Sequence, residues 1–327
     1  MSDWWIYRGT ADPHDGIDRL PSPPPWRTFE GGPPMEIDRD TMASGRRRHS
    51  LAATYQVDEQ AVELVNTALY LRRPLLVSGD PGTGKSTLAY AVARELRLGS
   101  VLRWPISSRS TTRDGLYRYD AVGRIEEASA GLKVDVDPGR YMRLGPLGTA
   151  LAPYRVPRVL LIDEIDKSEM DLPNDLLDVF EEGEFEIPEL ARIADSHPAV
   201  RVRPADDGPA VTVVKGRVEC RAFPLVILTS NREREFPPAF LRRCVRLELE
   251  APDQTRLAAI VDAHLGTAEA SAAGDLIEAF LDRRDHGGLA TDQLLNAVYL
   301  ISTANGHAPD SRKHLAELVL RNLSGES

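Results

Sequence analysis

The sequence predicts an α/β fold, a doubly wound parallel sheet followed by a small all-helical domain, and three observations carry that expectation. Four short apolar runs, Pro74 to Ser78, Val101 to Ile106, Val159 to Ile162 and Leu225 to Thr229, have the length and aliphatic enrichment of buried parallel strands, and helical or irregular segments separate them. The first run passes through a glycine-rich turn into a helical stretch, the unit from which such sheets are wound. Beyond about Pro252 no strand signal remains and every pattern is helical.

Taken in order, residues 1–50 form a Pro- and Gly-rich arm carrying Trp4, Trp5, Tyr7 and Trp26. Such a segment is either a solvated tail or, given its tryptophans, an arm that docks on the body or a neighbour. The run Arg46-Arg47-Arg48-His49 closes it as a charged linker. Residues 51–251 make the α/β core. Within it, Val57, Ala61, Leu64, Val65, Ala68 and Leu69 mark a helix from Ala52 to Tyr70, and a second helix is expected from Ser86 to Leu98. Leu172, Leu176, Val179 and Phe180 mark a third, with Asp171 as its cap. Between it and the last strand, Glu184 to Ile187 and Val211 to Val214 suggest a hairpin. Residues 252–327 form the helical lid, with amphipathic helices expected at 253–265, 270–283, 291–303 and 311–323.

Composition narrows the function classes. The 327 residues suffice for about two domains, and 42% hydrophobic with 28% charged residues is the balance of a globular protein. Fifty acids against 40 bases leave a net charge of -10, so nucleic-acid binding is not expected unless a local basic patch overrides it. Cys220 and Cys244 form neither a CxxC nor a Cys/His cluster, which argues against a disulfide framework or a zinc site. No apolar run approaches the ~20 residues that span a bilayer. The amino terminus lacks the pattern of a secretory signal, so the expected location is cytoplasmic, without a membrane partner.

The chemistry is concentrated in two motifs. Gly79-Asp80-Pro81-Gly82-Thr83-Gly84-Lys85-Ser86, followed by Thr87, satisfies the phosphate-binding P-loop pattern and lies between an expected strand and an expected helix. Its glycines let successive backbone N–H groups turn inward at a helix N-terminus, where partial positive charge holds phosphate. Lys85 is placed to reach the β- and γ-phosphates and the Ser86 hydroxyl to ligate Mg²⁺. The second motif is the strand that ends in Asp163-Glu164, at the sheet edge where doubly wound folds bind ligands. Asp163 is positioned to hold Mg²⁺ through water, and Glu164 to orient or deprotonate an attacking water. Asp166 and Lys167 continue as surface residues. The strand at Leu225 ends near Asn231, either a turn residue or a hydrogen-bond donor to the γ-phosphate or the lytic water.

In the order GDPGTGKST, LLIDEIDK, LTSN and PAFLRRC the chain resembles bacterial AAA+ ATPases, most nearly the MoxR-like group, over roughly residues 52–325. The resemblance implies ATP and Mg²⁺ as cofactors and Asn231 as the sensor of the γ-phosphate. It implies that Arg243, or its neighbour Arg242, is an arginine finger reaching the nucleotide of the next subunit, and hence a homo-oligomeric ring, a hexamer in such proteins. Such ATPases also carry a pore-facing insert where Tyr117, Arg118 and Tyr119 stand, residues that either touch a partner or simply pack. A lid arginine is common in these families, but Gly288 to Gln293 has none, leaving Arg283 or Arg284 as substitutes. The implied function is ATP-driven remodelling or activation of a partner protein, with von Willebrand factor A domain proteins and bacterial maturation or conflict systems as the associated setting. A GTP-dependent motor of restriction type and a nucleotide-gated scaffold with little turnover are the alternatives.

Overall fold

A computed structural model of the chain describes residues 3–39, 52–129, 137–287 and 291–303. Along them run β1 (Leu75–Gly79), β2 (Leu102–Pro105), β3 (Tyr117–Tyr119), β4 (Met142–Leu144), β5 (Val159–Asp163) and β6 (Glu184–Glu186). They are followed by β7 (Ala199–Val202), β8 (Val211–Val214), β9 (Arg217–Glu219), β10 (Leu225–Ser230) and β11 (Val245–Leu249). The central sheet is parallel, in the order β11-β1-β10-β5-β2.

Both faces of this sheet are covered, which is why its inner strands read as unbroken aliphatic runs. Alternate residues go to opposite layers. Leu76, Leu160, Ile162, Val226 and Leu228 join one buried cluster, while Leu75, Val77, Val159, Leu161, Leu225 and Ile227 join the other. The fifth strand, β11, was not among the four expected. Its sequence Val-Arg-Leu-Glu-Leu alternates because it is an edge, with Leu247 and Leu249 buried and Arg246 and Glu248 exposed, so no continuous apolar run announces it.

Helix Glu59–Leu71 starts where the Asp58 carboxylate accepts the Ala61 N–H at 2.7 Å and stops at Arg72, whose φ of 52° breaks the ladder. Helix Leu172–Glu182 forms as expected and ends on Gly183 at φ 65°, but Asp171 makes no side-chain cap there. It has helical φ/ψ itself and contributes its carbonyl to Asn174 and Asp175 instead.

Between Glu184 and Glu219 the chain forms an antiparallel sheet in the order β6-β9-β8-β7. The two runs read as a hairpin do not pair with each other. Lys215 and Gly216, with φ of 51° and 78°, make the tight turn that joins β8 to β9, so β6 is left to pair on the far side of β9. The pair β3-β4 forms a separate antiparallel ribbon.

Within the described part, the amino-terminal arm docks. Trp5, Ile6, Tyr7 and Ile17 are buried in the cluster that holds helices Glu59–Leu71 and Lys85–Glu95. The buried Asn66 carboxamide accepts from the Ile6 and Tyr7 amides at 2.8 and 3.0 Å and donates to the Tyr7 carbonyl at 2.8 Å. Glu95 accepts three further arm amides, from Arg8, Thr10 and Ala11. The Arg46 to His49 run lies outside the described residues.

Helices Gln254–Leu265, Thr267–Ala272, Gly274–Gly287 and Thr291–Thr303 pack on their own small cluster of Leu257, Val261, Ile277, Phe280, Leu294 and Val298. The helix expected at 311–323 lies outside the described residues. No described helix is long and apolar enough to cross a membrane.

Candidate functional site

The loop after β1 becomes a cradle because of its glycines. Gly84 caps helix Lys85–Glu95 at φ 88°, and a Cβ there would stand 2.7 Å from the Tyr55 ring, so both conformation and space demand glycine. Thr83 Oγ1 donates to the Asp80 carbonyl at 2.9 Å and tightens the turn. Pro81 to Thr87 line a cavity of about 450 Å³. Gly79 and Asp80 do not line it; their carbonyls accept the Lys85 ammonium at 2.7 Å each, which sets the lysine beneath the loop. Burial draws the Lys85 pKa below the usual lysine value, against the attraction of Asp166 and Asp80.

Across the cavity, Asp163 ends β5. Parallel pairing sets β10 on one side of that strand and β2 on the other. Asp163 Oδ1 accepts from Ser86 Oγ at 2.6 Å and from Thr229 Oγ1 at 2.9 Å, and Oδ2 accepts Nε and Nη2 of Arg103 at 3.0 and 2.6 Å. Burial alone would raise its pKa, but the bonds from Ser86, Arg103 and Thr229 together outweigh burial and hold it below the usual carboxylate range.

Glu164 is unlike its neighbour. Its φ of 62° and ψ of 52° put a non-glycine residue in the left-handed region, a strain of order 1–3 kcal/mol that persists where surrounding structure imposes it. Here its amide donates to Thr229 Oγ1 at 2.9 Å, while its half-exposed carboxylate accepts only Lys167 Nζ, also at 2.9 Å, among the described hydrogen bonds. Asp166, expected on the surface, is buried instead. Its Oδ2 accepts the amides of Asn231 and Glu233 at 2.8 and 3.2 Å, because the loop leaving β10 folds back over the turn after β5 and needs an acceptor there. Asn231 lines the cavity, on that bond.

The structure therefore brings together Lys85, Ser86, Asp163, Glu164 and Asn231 around one space. Arg242 and Arg243 are elsewhere: both are exposed, neither lines the cavity, and Arg243 Nε donates to Glu181 Oε1 at 2.9 Å. Tyr117 packs rather than faces a partner, buried beneath Arg113 with its hydroxyl donating to Glu189 Oε2 at 2.8 Å. Tyr119 is half-buried and accepts from Arg124, whereas Arg118 is exposed.

Several lining residues escaped sequence reasoning. Arg103 and Thr229 sit on strands whose aliphatic neighbours dominate the pattern, and only strand pairing turns them toward Asp163. Thr54, Tyr55 and Gln56 precede the first helix, and Arg256, Ile260 and His264 come from the first helix of the lid. Arg256 donates to the Gln56 carbonyl at 2.8 Å and approaches Asp58 at 3.4 Å; His264 meets Thr54 at 3.1 Å. The lid thus does present an arginine to this cavity, from its first helix rather than from Gly288 to Gln293. Gly288 to Ala290 and the side chains of Arg283 and Arg284 lie outside the described residues.

The donor set suits a hard divalent cation. The Ser86 hydroxyl and Asp163 carboxylate oxygens adjoin the phosphate cradle, the oxygen chemistry such a cation takes. Cys220 and Cys244 stand apart from this, their thiols pushed up to about 12 by burial.

No curated protein matches the chain. Residues 74–244, just over half of the 327, match the family described as AAA domain, dynein-related subfamily. That span runs from the residue before β1 through the glycine loop, the Asp163 strand and Asn231 to the turn after Arg243. With a parallel sheet flanked by helices, a phosphate-binding loop on its first strand and an acidic strand end opposite, the chain belongs to the AAA family of P-loop ATPases, in its dynein-related subfamily.

Proposed function

We propose that the protein hydrolyses ATP with Mg²⁺ as a subunit of an oligomeric ring and uses the cycle to remodel or activate a partner protein. One observation carries the catalytic part: the 2.6 Å bond between Ser86 and Asp163 across the glycine-loop cavity, with Glu164 beside it in a left-handed conformation. Ser86 and Asp163 would hold the metal, which when bound neutralises charge on phosphate oxygens. Lys85 and the amides that follow Gly82 bind the phosphates. Glu164 orients a water and takes its proton, a role suited to a carboxylate with one flexible lysine partner rather than four fixed donors. Asn231, held by Asp166, reads the terminal phosphate.

Arg243 or Arg242 serves the neighbouring subunit. Their exposure away from their own cavity supports that reading, because a cis role would require them to line it. The MoxR-like grouping and a von Willebrand factor A domain partner rest on sequence resemblance alone.

Steady-state phosphate release with ATP and with GTP, with and without Mg²⁺, tests the proposal. Turnover that prefers ATP, needs Mg²⁺ and rises more than linearly with protein concentration is expected. Lys85→Ala abolishes nucleotide binding, and Arg243→Ala lowers turnover by about 10³ with binding retained. A strong preference for GTP replaces the cofactor assignment, and turnover independent of concentration and of both arginines removes the ring.

A further inference from the structure

We infer that the surface formed by β3, β4 and the end of β7 is a docking site for a short acidic segment of a partner protein, gripped by Arg118, Arg143, Arg203 and Arg201. These residues are scattered over the sequence, and strand register alone assembles them. Arg118 and Arg143 are direct partners across the β3-β4 ribbon, and Arg143 forms a bridge with Arg203 just beyond β7. Directly paired residues point to the same face, as do residues two apart in a strand, so Arg201 joins the row. All four are exposed, while the alternating residues Tyr117, Met142, Leu144 and Val202 are buried on the reverse side.

Like charges opposite one another weaken a sheet, and such rows are normally interleaved with acids. Among the described residues, none of the four has an ion-pair partner. Of the acids near these strands, Asp120 accepts the Gly123 amide and Asp137 the Gly139 amide, Glu127 holds Arg140 and Tyr141, Asp206 holds Arg158 and Ser100, and Asp207 is exposed. Arg143 is also pre-positioned, with its Nε and Nη2 donating to the carbonyls of Pro204 and Ala205 at 3.0 and 2.9 Å. Three adjacent strands set the row at about 10 Å, with Arg201 about 7 Å further along its strand. That footprint suits a few carboxylates of one extended peptide, met by the planar guanidinium forks of Arg118, Arg201 and Arg203, while Arg143, its Nε and Nη2 held by carbonyls, adds its charge and its remaining Nη1 donors.

A single-stranded nucleic acid fits less well. It needs aromatic platforms for its bases, and here Tyr117 is buried and Tyr119 half-buried. The helix that follows β3 instead exposes Val122 and Ile125, apolar side chains suited to a polypeptide. The charge of -10 on the whole chain also disfavours a long polyanion while permitting a short one at a local basic row.

Fluorescence anisotropy with a dye-labelled oligoglutamate peptide, on the full chain without nucleotide, tests this independently of ATP hydrolysis. Saturable binding is expected, weakened about tenfold or more by the double reversal Arg118→Glu with Arg203→Glu and little changed by Arg19→Glu, an exposed arginine in the arm. Should the double reversal fold poorly by its melting curve, Arg118→Gln alone is read, with a smaller loss in the same direction. No peptide binding, equal loss with Arg19→Glu, or tighter binding of a thymidine oligonucleotide of matching charge overturns the inference.

Discussion

The two ends of the parallel sheet treat charge in opposite ways. At the carboxyl ends of β1, β5 and β10, Lys85, Asp163 and Glu164 line one cavity. At the amino ends, arginines are absorbed into the protein. Arg27, from the arm, stands over the stacked rings of Phe29 and Phe223, 5.3 and 4.5 Å from their centroids, and donates to the carbonyls of Phe180 and Arg72 at 2.8 and 2.7 Å. Arg72, just before β1, is lowered to about 10 by burial, and Arg158, just before β5, pairs with Asp206 at 2.6 Å. A guanidinium spent on fixed carbonyls and one carboxylate is structural. A carboxylate such as Glu164, left half-exposed on a flexible lysine, keeps bonding capacity for a ligand. A P-loop and an arginine staple are thus separated less by residue type than by whether bonding capacity is left for a ligand.

That contrast can be broken by measurement, and the largest effect is expected at the carboxyl end. Glu164→Gln should lower ATP turnover by about 10²–10⁴ while nucleotide binding and the melting temperature hold; a melting temperature that falls as far as that of an arm variant would erase the distinction. At the amino end, Arg27→Ala should cost about 3 kcal/mol, seen as a calorimetric midpoint lower by roughly 6–10 °C, with little change in turnover of the folded fraction. Asp206→Asn should cost about 2 kcal/mol at neutral pH. Its sign with pH follows from a folded-state pKa below the usual value: burial opposes that shift, and Arg158, the Gly208 amide and Ser100 outweigh it. The stabilisation is therefore present above the ordinary carboxylate pKa and lost as pH falls through the folded one, so thermal melts of the parent should show more acid sensitivity below about pH 5 than melts of Asp206→Asn. The smallest effect tests a residue that belongs to both classes. Thr229→Val removes a bond to Asp163 and one from the Glu164 amide; about 1 kcal/mol of stability should go, together with a higher Mg²⁺ requirement for half-maximal turnover.

Sequence alone was enough wherever function demands contiguous residues. The glycine loop must turn within eight positions, and the aspartate–glutamate pair must follow an aliphatic strand, so both motifs and four of the five central strands were legible. The helices Glu59–Leu71, Lys85–Glu95, Leu172–Glu182, Gln254–Leu265, Gly274–Gly287 and Thr291–Thr303 were legible for the same reason, since their periodicity is local, although the first starts at Glu59 rather than Ala52. The short helices Thr112–Leu116, Ala121–Ser129, Pro146–Ala150, Pro188–Ala191 and Pro238–Leu241 offer too few turns for a period to show. What tertiary structure decided is everything held by neighbours distant in sequence: on the strands, the Arg103 fork and Thr229 hydroxyl on Asp163 and the arginine row across β3, β4 and β7; on helices and loops, the burial of Asp166, the lid arginine at 256 and the docking of the arm. Side chains from strands distant in sequence meet through hydrogen-bond register, and a one-residue slip would turn each to the opposite face. No linear pattern encodes that register, because it is set by packing of the whole sheet against its two covering layers.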